Sequence, residues 1–404
     1  MEERPYYLRL WEDISKDKRM VFISGPRQAG KTTLARAIGG AFSDETYFNW
    51  DYPENKRLLF KDPTFFAKQS RRGTQAPLVI FDEIHKYRAW KNYLKGIYDQ
   101  FHEDYRFLVL GSGRLDAYRK GGDSLAGRYG LFTLWPFTVT ELSGLRRTFD
   151  DFSKNPLFSA PNPRARQVWR RLERLSGFPE PFLSGREQNY RRWSRIYHQQ
   201  LIREDIRDIS GVRDIEQAAT LFALLASRVG SLLSVQNLAE DLQVSHTAIR
   251  SWLNIFESLY LIFRLSPWTK KISRAISLQK KLYLMDAAQI LSEAARFENM
   301  AALELWRAVH SWTDWGFGAF DLHYLRNKEK QEVDFLITKG QMPFLLVEAK
   351  LQDEEVSPAL RKFQEALKVP AVQVVQKPDV RRRFPAGRGE ILIVTAADWF
   401  AALP

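Results

Sequence analysis

The feature that most constrains this chain is the loop Gly25–Thr33, whose sequence GPRQAGKTT matches the pattern G-x-x-x-x-G-K-[ST] in full. It follows the apolar run Met20–Ile23 and opens into the helix-like segment Leu34–Ile38, the strand, loop and helix order of a phosphate-binding loop. In such a loop, backbone N–H groups turn inward around the phosphates, and the next helix directs its positive dipole end at them. The pattern therefore predicts a nucleoside triphosphate site, rather than a chance turn, formed by Gly25, Gly30, Lys31, Thr32 and Thr33.

Two side chains of this loop have predicted roles in binding the triphosphate. Lys31 is expected to reach the β- and γ-phosphates, and the Thr32 hydroxyl is expected to hold Mg²⁺. Both roles depend on the loop lying at the end of a parallel strand.

A second signal is the segment Leu78–Glu83, LVIFDE, in which four apolar residues precede two acids. Such a run is typical of a buried parallel strand, and open α/β sheets place ligands at the carboxyl ends of their strands. Asp82 is then expected to bind Mg²⁺ through its water shell, and Glu83 to act as general base on the attacking water. The alternative is a buried strand that simply ends in a polar turn.

Three more apolar runs complete a predicted sheet of five parallel strands with helices on both faces, an α/β fold of the P-loop NTPase type. One run, Phe107–Leu110, leads to Ser112, which would emerge at the same edge and orient water or the γ-phosphate. The other two runs cover residues 46–51 and 131–135.

Residues 1–145 resemble an AAA-type ATPase domain, and the segment from Gly111 onward resembles a branch of that family with an extra C-terminal domain. The resemblance implies ATP and Mg²⁺ as cofactors, Ser112 as sensor, and an arginine offered by a neighbouring subunit. Arg128 is the first candidate for that arginine and Arg114 the second, the alternative for either being a surface or ion-paired arginine. An arginine supplied in trans implies a homo-oligomer, of which a hexameric ring is one form.

Composition favours a polyanionic partner. The chain has 61 Lys and Arg against 48 Asp and Glu, a formal charge of +13 over 404 residues. DNA is the expected partner, and charge that serves only solubility is the alternative. Arginines cluster at 164–174, 186–195 and 381–383, the first two groups interleaved with three aromatics that could stack on bases: Trp169, Tyr190 and Trp193.

Other features narrow the class of protein. The absence of Cys excludes disulfides and thiolate metal sites. No apolar run reaches the ~18 residues of a membrane helix, and the charged start MEERP lacks an apolar signal region. We therefore expect a cytoplasmic protein with no membrane partner.

Residues 146–230 are expected to form a helical lid or linker, and residues 231–285 a winged helix. Ser245 is the expected N-cap of the second helix, whose apolar residues recur three and four apart. If this unit reads DNA, His246, Thr247 and Arg250 would meet base edges, while Lys270 and Lys271 would meet phosphates. The alternative is a structural extension of the lid.

Residues 286–404 contain two acidic strands, QEVDFLI and FLLVEAK, in which alternate residues share a face. Glu332 thus accompanies Asp334, and Glu348 accompanies Lys350. The pattern resembles the restriction-endonuclease-like α/β fold, which implies Mg²⁺ binding by Asp334 and Glu348, activation of water by Lys350, and a contribution from Glu304 on a preceding helix. The alternative is an ion pair with a structural role.

Together these features predict an ATP-hydrolysing, DNA-binding AAA-type ATPase, a motor or remodeller coupled to a nuclease-like domain, acting in DNA processing, repair or defence. A second hypothesis is a nucleotide-gated switch or scaffold whose nuclease-like domain binds a partner without cleavage. A third is a motor in which that domain only grips DNA.

Overall fold

A computed structural model describes residues 4–17, 19–68, 71–111, 125–145, 147–205, 215–269, 279–352, 355–387 and 389–404. The chain divides into two compact units, Met1–Pro136 and Phe137–Pro404. The first unit ends before the predicted boundary at 145, and the segments predicted as lid, winged helix and nuclease-like domain all fall in the second. The separate boundaries at 230 and 285 stay predictions.

The first unit has a five-stranded sheet in its described residues, with every neighbouring pair parallel, as the sequence predicts. Its strands are β1 (Met20–Ser24), β2 (Glu45–Asn49), β3 (Leu78–Asp82), β4 (Arg106–Leu110) and β5 (Tyr129–Thr133). Its helices are α1 (Pro5–Asp17), α2 (Lys31–Gly39), α3 (Pro53–Lys61) and α4 (Trp90–Phe101). The strand order is β2-β3-β4-β1-β5.

The interior of this sheet explains why the apolar runs become strands. Every residue of β1 and of β3 is buried, the pattern of parallel strands covered on both faces. Because all five strands run the same way, their carboxyl ends meet at one edge. The loop after β1 and the acids at the end of β3 therefore lie on the same edge of the sheet.

The second unit begins with helices. These are α5 (Val139–Ser143), α6 (Phe149–Lys154), α7 (Pro163–Leu175), α8 (Pro179–Ser184), α9 (Glu187–Gln200), α10 (Ile215–Leu225), α11 (Val235–Leu242) and α12 (His246–Ser258). A two-stranded antiparallel sheet follows, formed by β6 (Ile262–Leu265) and β7 (Lys281–Leu284). The N-cap predicted at Ser245 is confirmed, since its side chain accepts a hydrogen bond from the Ala248 N–H. The described elements run in the order helix, turn, helix and hairpin, while the winged helix at 231–285 and its reading of DNA stay predictions.

The rest of the second unit is a mixed six-stranded sheet with helices. Its helices are α13 (Glu293–Asp314), α14 (Pro358–Leu367) and α15 (Ala396–Phe400). Its strands are β8 (Phe320–Arg326), β9 (Glu332–Lys339), β10 (Met342–Lys350), β11 (Ala371–Val375), β12 (Arg381–Ala386) and β13 (Gly389–Thr395), in the order β12-β13-β11-β10-β9-β8. Strand β10 pairs antiparallel with β9 and parallel with β11, so the two predicted acidic strands are neighbours. None of the described helices has the length and apolarity that crossing a membrane requires.

Candidate nucleotide site and acidic cluster

Two glycines shape the loop that follows β1. Gly25 has φ +135°, and a Cβ atom there would lie 2.3 Å from the Leu134 carbonyl oxygen, a contact that backbone cannot relieve. Gly30 has φ +98° and forms the N-cap of α2. Glycine adopts such conformations without the strain that a side chain adds, so both motif positions require it.

Lys31 is folded back onto this loop. Its Nζ donates to the carbonyl oxygens of Gly25 at 2.9 Å and Pro26 at 2.7 Å, and the residue is only 9% exposed. The ammonium group is therefore held within the loop, where the sequence places the phosphates.

Asp82 is the point at which the two motifs of the first unit meet. Its Oδ2 accepts hydrogen bonds from Thr32 Oγ1 at 2.9 Å and from Tyr47 Oη at 2.7 Å. Burial raises the pKa of the Asp82 carboxyl, and the hydrogen bonds from Tyr47 and Thr32 partly offset that rise. Tyr47 belongs to neither motif. The sequence could have indicated its role only through the hydroxyl that it carries on β2, the strand that pairs with β3.

Glu83 lies at the same edge, in a left-handed conformation with φ +56°. Its N–H donates to the Leu110 carbonyl at 3.3 Å, which ties the residue to the end of β4. Its carboxylate lies 3.1 Å from Lys86 Nζ, and that ammonium also contacts Asp51 Oδ2 at 2.6 Å. Sequence reasoning missed this lysine, which gives the predicted general base a cationic neighbour.

Arg4 is a second residue that the motifs do not reveal. Its guanidinium donates to the carbonyls of Ala29 at 3.2 Å and Trp135 at 2.8 Å, and it is 7% exposed. It also lies over the Tyr7 ring, 4.6 Å from the centroid. Arg4 thus connects the phosphate-binding loop to the segment that follows β5.

The arginine candidates have different outcomes. Arg128 forms an ion pair with Asp99 of α4 at 2.7 Å. Ser112 and Arg114 lie outside the described residues. In the first unit, Arg128 is therefore paired with a residue of the same chain. The sensor role of Ser112 stays a prediction.

The oxygen atoms that Thr32 and Asp82 present at this edge are suitable ligands for Mg²⁺. Thr32 and Asp82 already share a hydrogen bond, and Mg²⁺ commonly takes one or two protein oxygens together with phosphate oxygens and water. In the part of the chain that the structure describes, no group of three or more His, Asp or Glu side chains is arranged to hold a metal alone. A metal at this site would therefore depend on the triphosphate for most of its ligands.

The second unit contains an acidic cluster, defined here as Glu298, Glu332, Asp334 and Glu348. Asp334 and Glu348 lie on adjacent strands, where the Asp334 N–H donates to Glu348 Oε2 at 3.2 Å and the Ala349 N–H donates to Asp334 Oδ2 at 3.1 Å. Lys350 Nζ lies 2.9 Å from Glu348 Oε1. The structure thus brings together Asp334, Glu348 and Lys350.

Burial and neighbouring charge perturb this cluster. Desolvation first, then the Asp334 carboxylate, raises the pKa of Glu298 and of Glu348 to about 7. Lys281 of β7, which sequence reasoning did not single out, contacts three of these four acids: Glu298, Glu332 and Asp334. Its pKa is lowered by burial, but the surrounding carboxylates, led by Asp334, outweigh that effect and raise it overall.

Glu304, expected to join this group, lies elsewhere. Its carboxylate accepts from the Val139 N–H at 3.3 Å and lies 3.7 Å from Arg307. The acid that α13 contributes to the cluster is Glu298, which accepts a hydrogen bond from Tyr283 Oη at 2.8 Å. On a helix, residues six apart lie on different faces, so the strand pattern alone could not choose between the two.

The predicted DNA-contacting residues are partly described. His246, Thr247 and Arg250 are exposed on α12, while Lys270 and Lys271 lie outside the described residues. The three aromatics expected to stack on bases are not available for that role, because they are buried in the core: Trp169, Tyr190 and Trp193.

The parallel sheet, the loop between β1 and α2, and the acid at the end of β3 form the nucleotide site of a P-loop ATPase domain. Residues 17–143 match a family described as AAA domain. Residues 166–299 and 294–394 match two families, each described as a domain of unknown function, DUF8612 and DUF4143.

Whole-chain relatives are found in mycobacteria. The uncharacterized proteins Rv2008c of Mycobacterium tuberculosis and Mb2031c of Mycobacterium bovis are each 27% identical over 379 residues, 91% of this chain and 78% of theirs.

Two solved structures show distant similarity to this chain. The Walker-type ATPase PABY2304 of Pyrococcus abyssi is 14% identical with a TM-score of 0.41, covering 71% of this chain and 94% of its own. Drosophila ORC bound to DNA is 11% identical with a TM-score of 0.30, covering 69% and 91%. Likeness at this level supports no conclusion about partners.

Proposed function

We propose that this protein is an ATP-hydrolysing, DNA-binding ATPase of the AAA type, a motor or remodeller coupled to a nuclease-like domain in DNA processing, repair or defence. The observation that carries the DNA partner is an arginine-rich surface on α7 and α9. Residues 163–200 contain nine arginines and three glutamates, and eight of those arginines are exposed.

Each of the two helices presents its arginines opposite a buried face. On α7, Arg170, Arg171 and Arg174 lie three and four residues apart, whereas Trp169 and Leu172 are buried. On α9, Arg191, Arg192 and Arg195 repeat this arrangement over buried Tyr190, Trp193 and Tyr197. An ion pair between Arg174 and Glu187 joins the two helices at 2.6 Å.

Much of this positive charge is not neutralised within the chain. The described residues offer no ion-pair partner to four of the exposed arginines: Arg170, Arg186, Arg192 and Arg195. A phosphate backbone supplies closely spaced negative charge, and its neutralisation releases counterions. With the aromatics buried, the surface suits phosphates better than bases, and the resulting DNA contact is independent of sequence.

ATP hydrolysis uses the edge of the first sheet. Lys31 binds the β- and γ-phosphates, and Thr32 and Asp82 would hold Mg²⁺, which would neutralise charge at the phosphates. Glu83 accepts a proton from the attacking water. At the same time the water oxygen bonds to the γ-phosphorus, and the bond between that phosphorus and the leaving oxygen breaks. Thr33 and the glycine N–H groups complete the cradle.

Assembly into a homo-oligomer is proposed to bring an arginine of a neighbouring subunit to the nucleotide site. Arg128 is the candidate, and to act on a neighbour it exchanges its Asp99 partner for the transferred phosphoryl group. Mass measurement with a non-hydrolysable nucleotide tests assembly. Arg128→Ala should lower turnover and leave ATP affinity unchanged, and unchanged turnover would exclude this arginine.

DNA binding is tested by its salt dependence. Each duplex phosphate contact contributes about −0.9 to the slope of log K against log salt, so the triple change Arg191→Ala, Arg192→Ala, Arg195→Ala should reduce the slope by about 2 to 3. A charge-matched control removes exposed cations elsewhere: Arg57, Lys61 and Arg361. Equal slopes for the two triple variants would reject this surface. ATPase activity that DNA does not stimulate, without salt-dependent DNA binding, would reject the proposed function.

A second candidate, a nucleotide-gated switch whose nuclease-like domain binds a partner without cleavage, is favoured by the contacts of Lys281 with the acidic cluster. Incubation with plasmid, junction and single-stranded DNA in Mg²⁺ or Mn²⁺ separates the two. Cleavage that Asp334→Ala abolishes supports the nuclease, and intact DNA supports the switch.

A further inference from the structure

The acidic cluster of the second unit surrounds the ammonium group of Lys281. Its Nζ lies 2.6 Å from Glu332, 3.3 Å from Asp334 and 3.3 Å from Glu298. The Lys281 side chain is only 3% exposed. A lysine so deeply buried requires compensating charge, and here three carboxylates from two elements, β9 and α13, provide it.

Most of the cluster's oxygens have donors from the protein, and Tyr283 shares Glu298 Oε1 with Lys281. Glu298 accepts from Tyr283, Asp334 accepts from the Ala349 N–H, and Glu348 pairs with Lys350. Hard divalent cations need several such oxygens free to converge on one point. As noted, the described residues contain no group of three acids or histidines arranged to hold a metal.

The expected metal therefore does not fit this cluster as it is arranged. We infer that Lys281 is a built-in cation that takes the position of a divalent metal and closes the acidic cluster to it. The inference rests on the proposed function only in treating these carboxylates as the nuclease-like site, and it requires neither ATP hydrolysis nor DNA binding.

Lys281 connects the acidic cluster to the two-stranded sheet of β6 and β7. Lys281 begins β7, whose partner β6 follows α12, the helix that presents His246 and Arg250. Residues 230–233 also contact this strand, through a bridge between Leu232 and Lys281. Removal of the ammonium would leave three carboxylates facing one another, an arrangement that demands a replacement cation.

The test is a calorimetric titration of the nucleotide-free full-length chain with Mn²⁺. Wild type should show no site at the cluster. Lys281→Ala should gain one site, at least about tenfold tighter than any residual Mn²⁺ binding elsewhere on the wild-type chain, and Mn²⁺ should raise its unfolding temperature. The double variant Lys281→Ala, Asp334→Asn should lose both effects, which assigns them to the cluster rather than to the phosphate-binding loop.

Lys350→Ala is the matched control, because it removes the other, 40% exposed lysine of the same site. It should not reproduce the gain. If Lys281→Ala does not fold, Lys281→Gln replaces it with the same expectations.

Two results would overturn the inference: Mn²⁺ binding by wild type that Asp334→Asn abolishes, or a folded Lys281 variant that gains no site. Neither result bears on DNA-stimulated ATP hydrolysis, which tests the proposed function separately.

Discussion

The hydroxyl of Thr32 donates to Oδ2 of Asp82 at 2.9 Å, which joins the start of α2 to the end of β3. This bond connects residues fifty positions apart in the chain. The two groups expected to hold Mg²⁺ are thus positioned by the fold itself. Tyr47 adds a second donor to the same oxygen and so fixes the carboxylate in one orientation.

Tyr47→Phe should change the pH dependence of ATP hydrolysis. Loss of the Tyr47 hydrogen bond removes a group that lowers the pKa of Asp82, so the pKa of this buried carboxyl rises further. Because the metal role proposed for Asp82 requires its ionised form, the acidic limb of the rate profile should move to higher pH. A hydrogen bond to a charged group is worth about 1.5–3 kcal/mol, so turnover on that limb should fall by about tenfold or more.

The control for this change is Tyr52→Phe, at an exposed tyrosine that follows β2. Its pH profile should match wild type. An unshifted acidic limb in Tyr47→Phe would show that the bond to Asp82 has no part in the reaction.

Lys31→Ala should weaken nucleotide binding by at least about tenfold. The ammonium group that the loop carbonyls hold is the predicted partner of the β- and γ-phosphates, and a charge-assisted bond of about 1.5–3 kcal/mol corresponds to a loss of at least about tenfold in affinity. Titration with a fluorescent ATP analogue measures this loss, with Lys61→Ala as the control. Unchanged affinity would contradict the assignment of the site.

Glu83→Gln should trap ATP. The amide keeps the size of the side chain but cannot accept the proton of water, so kcat should fall by about 10²–10⁴-fold, the usual contribution of a general base. ATP affinity should stay close to wild type. Single-turnover hydrolysis and equilibrium binding measure the two quantities, and turnover within a few fold of wild type would assign the base to another residue.

The sequence was most informative where backbone geometry limits residue choice. Gly25 and Gly30 adopt positive φ angles, and Lys31 and Thr32 follow at fixed positions, so one short pattern located the loop. The β1 and β3 runs were predictable for a related reason, since strands buried on both faces must be apolar throughout.

Residues that reach the sites from distant elements could not be predicted in this way. Tyr47, Arg4 and Lys281 belong to no local pattern, and their roles depend on which strands and segments become neighbours. Glu304, the acid expected from α13, lies elsewhere for the same reason, because its position depends on how α13 is rotated against the sheet. The clustering of arginines did not indicate that Trp169 and Trp193 face inward. The spacing of apolar residues on α7 and α9 does place both side chains on the buried face.

Glu304 should make the stability of the second unit depend on pH. Burial, only partly offset by Arg307, raises the pKa of Glu304 from 4.5 to about 7. The folded state therefore holds a proton that the unfolded chain releases above its own pKa, so the free energy of unfolding should fall as pH rises from 4.5 to 7. One pKa unit corresponds to about 1.4 kcal/mol, which gives a loss on the order of 2–3 kcal/mol from this group.

In Glu304→Gln the amide can still accept from the Val139 N–H and does not titrate, so the fall in the free energy of unfolding should be smaller by that amount. Urea unfolding at several pH values measures it, with the exposed Glu293→Gln as control, and parallel curves for Glu304→Gln and wild type would contradict the raised pKa.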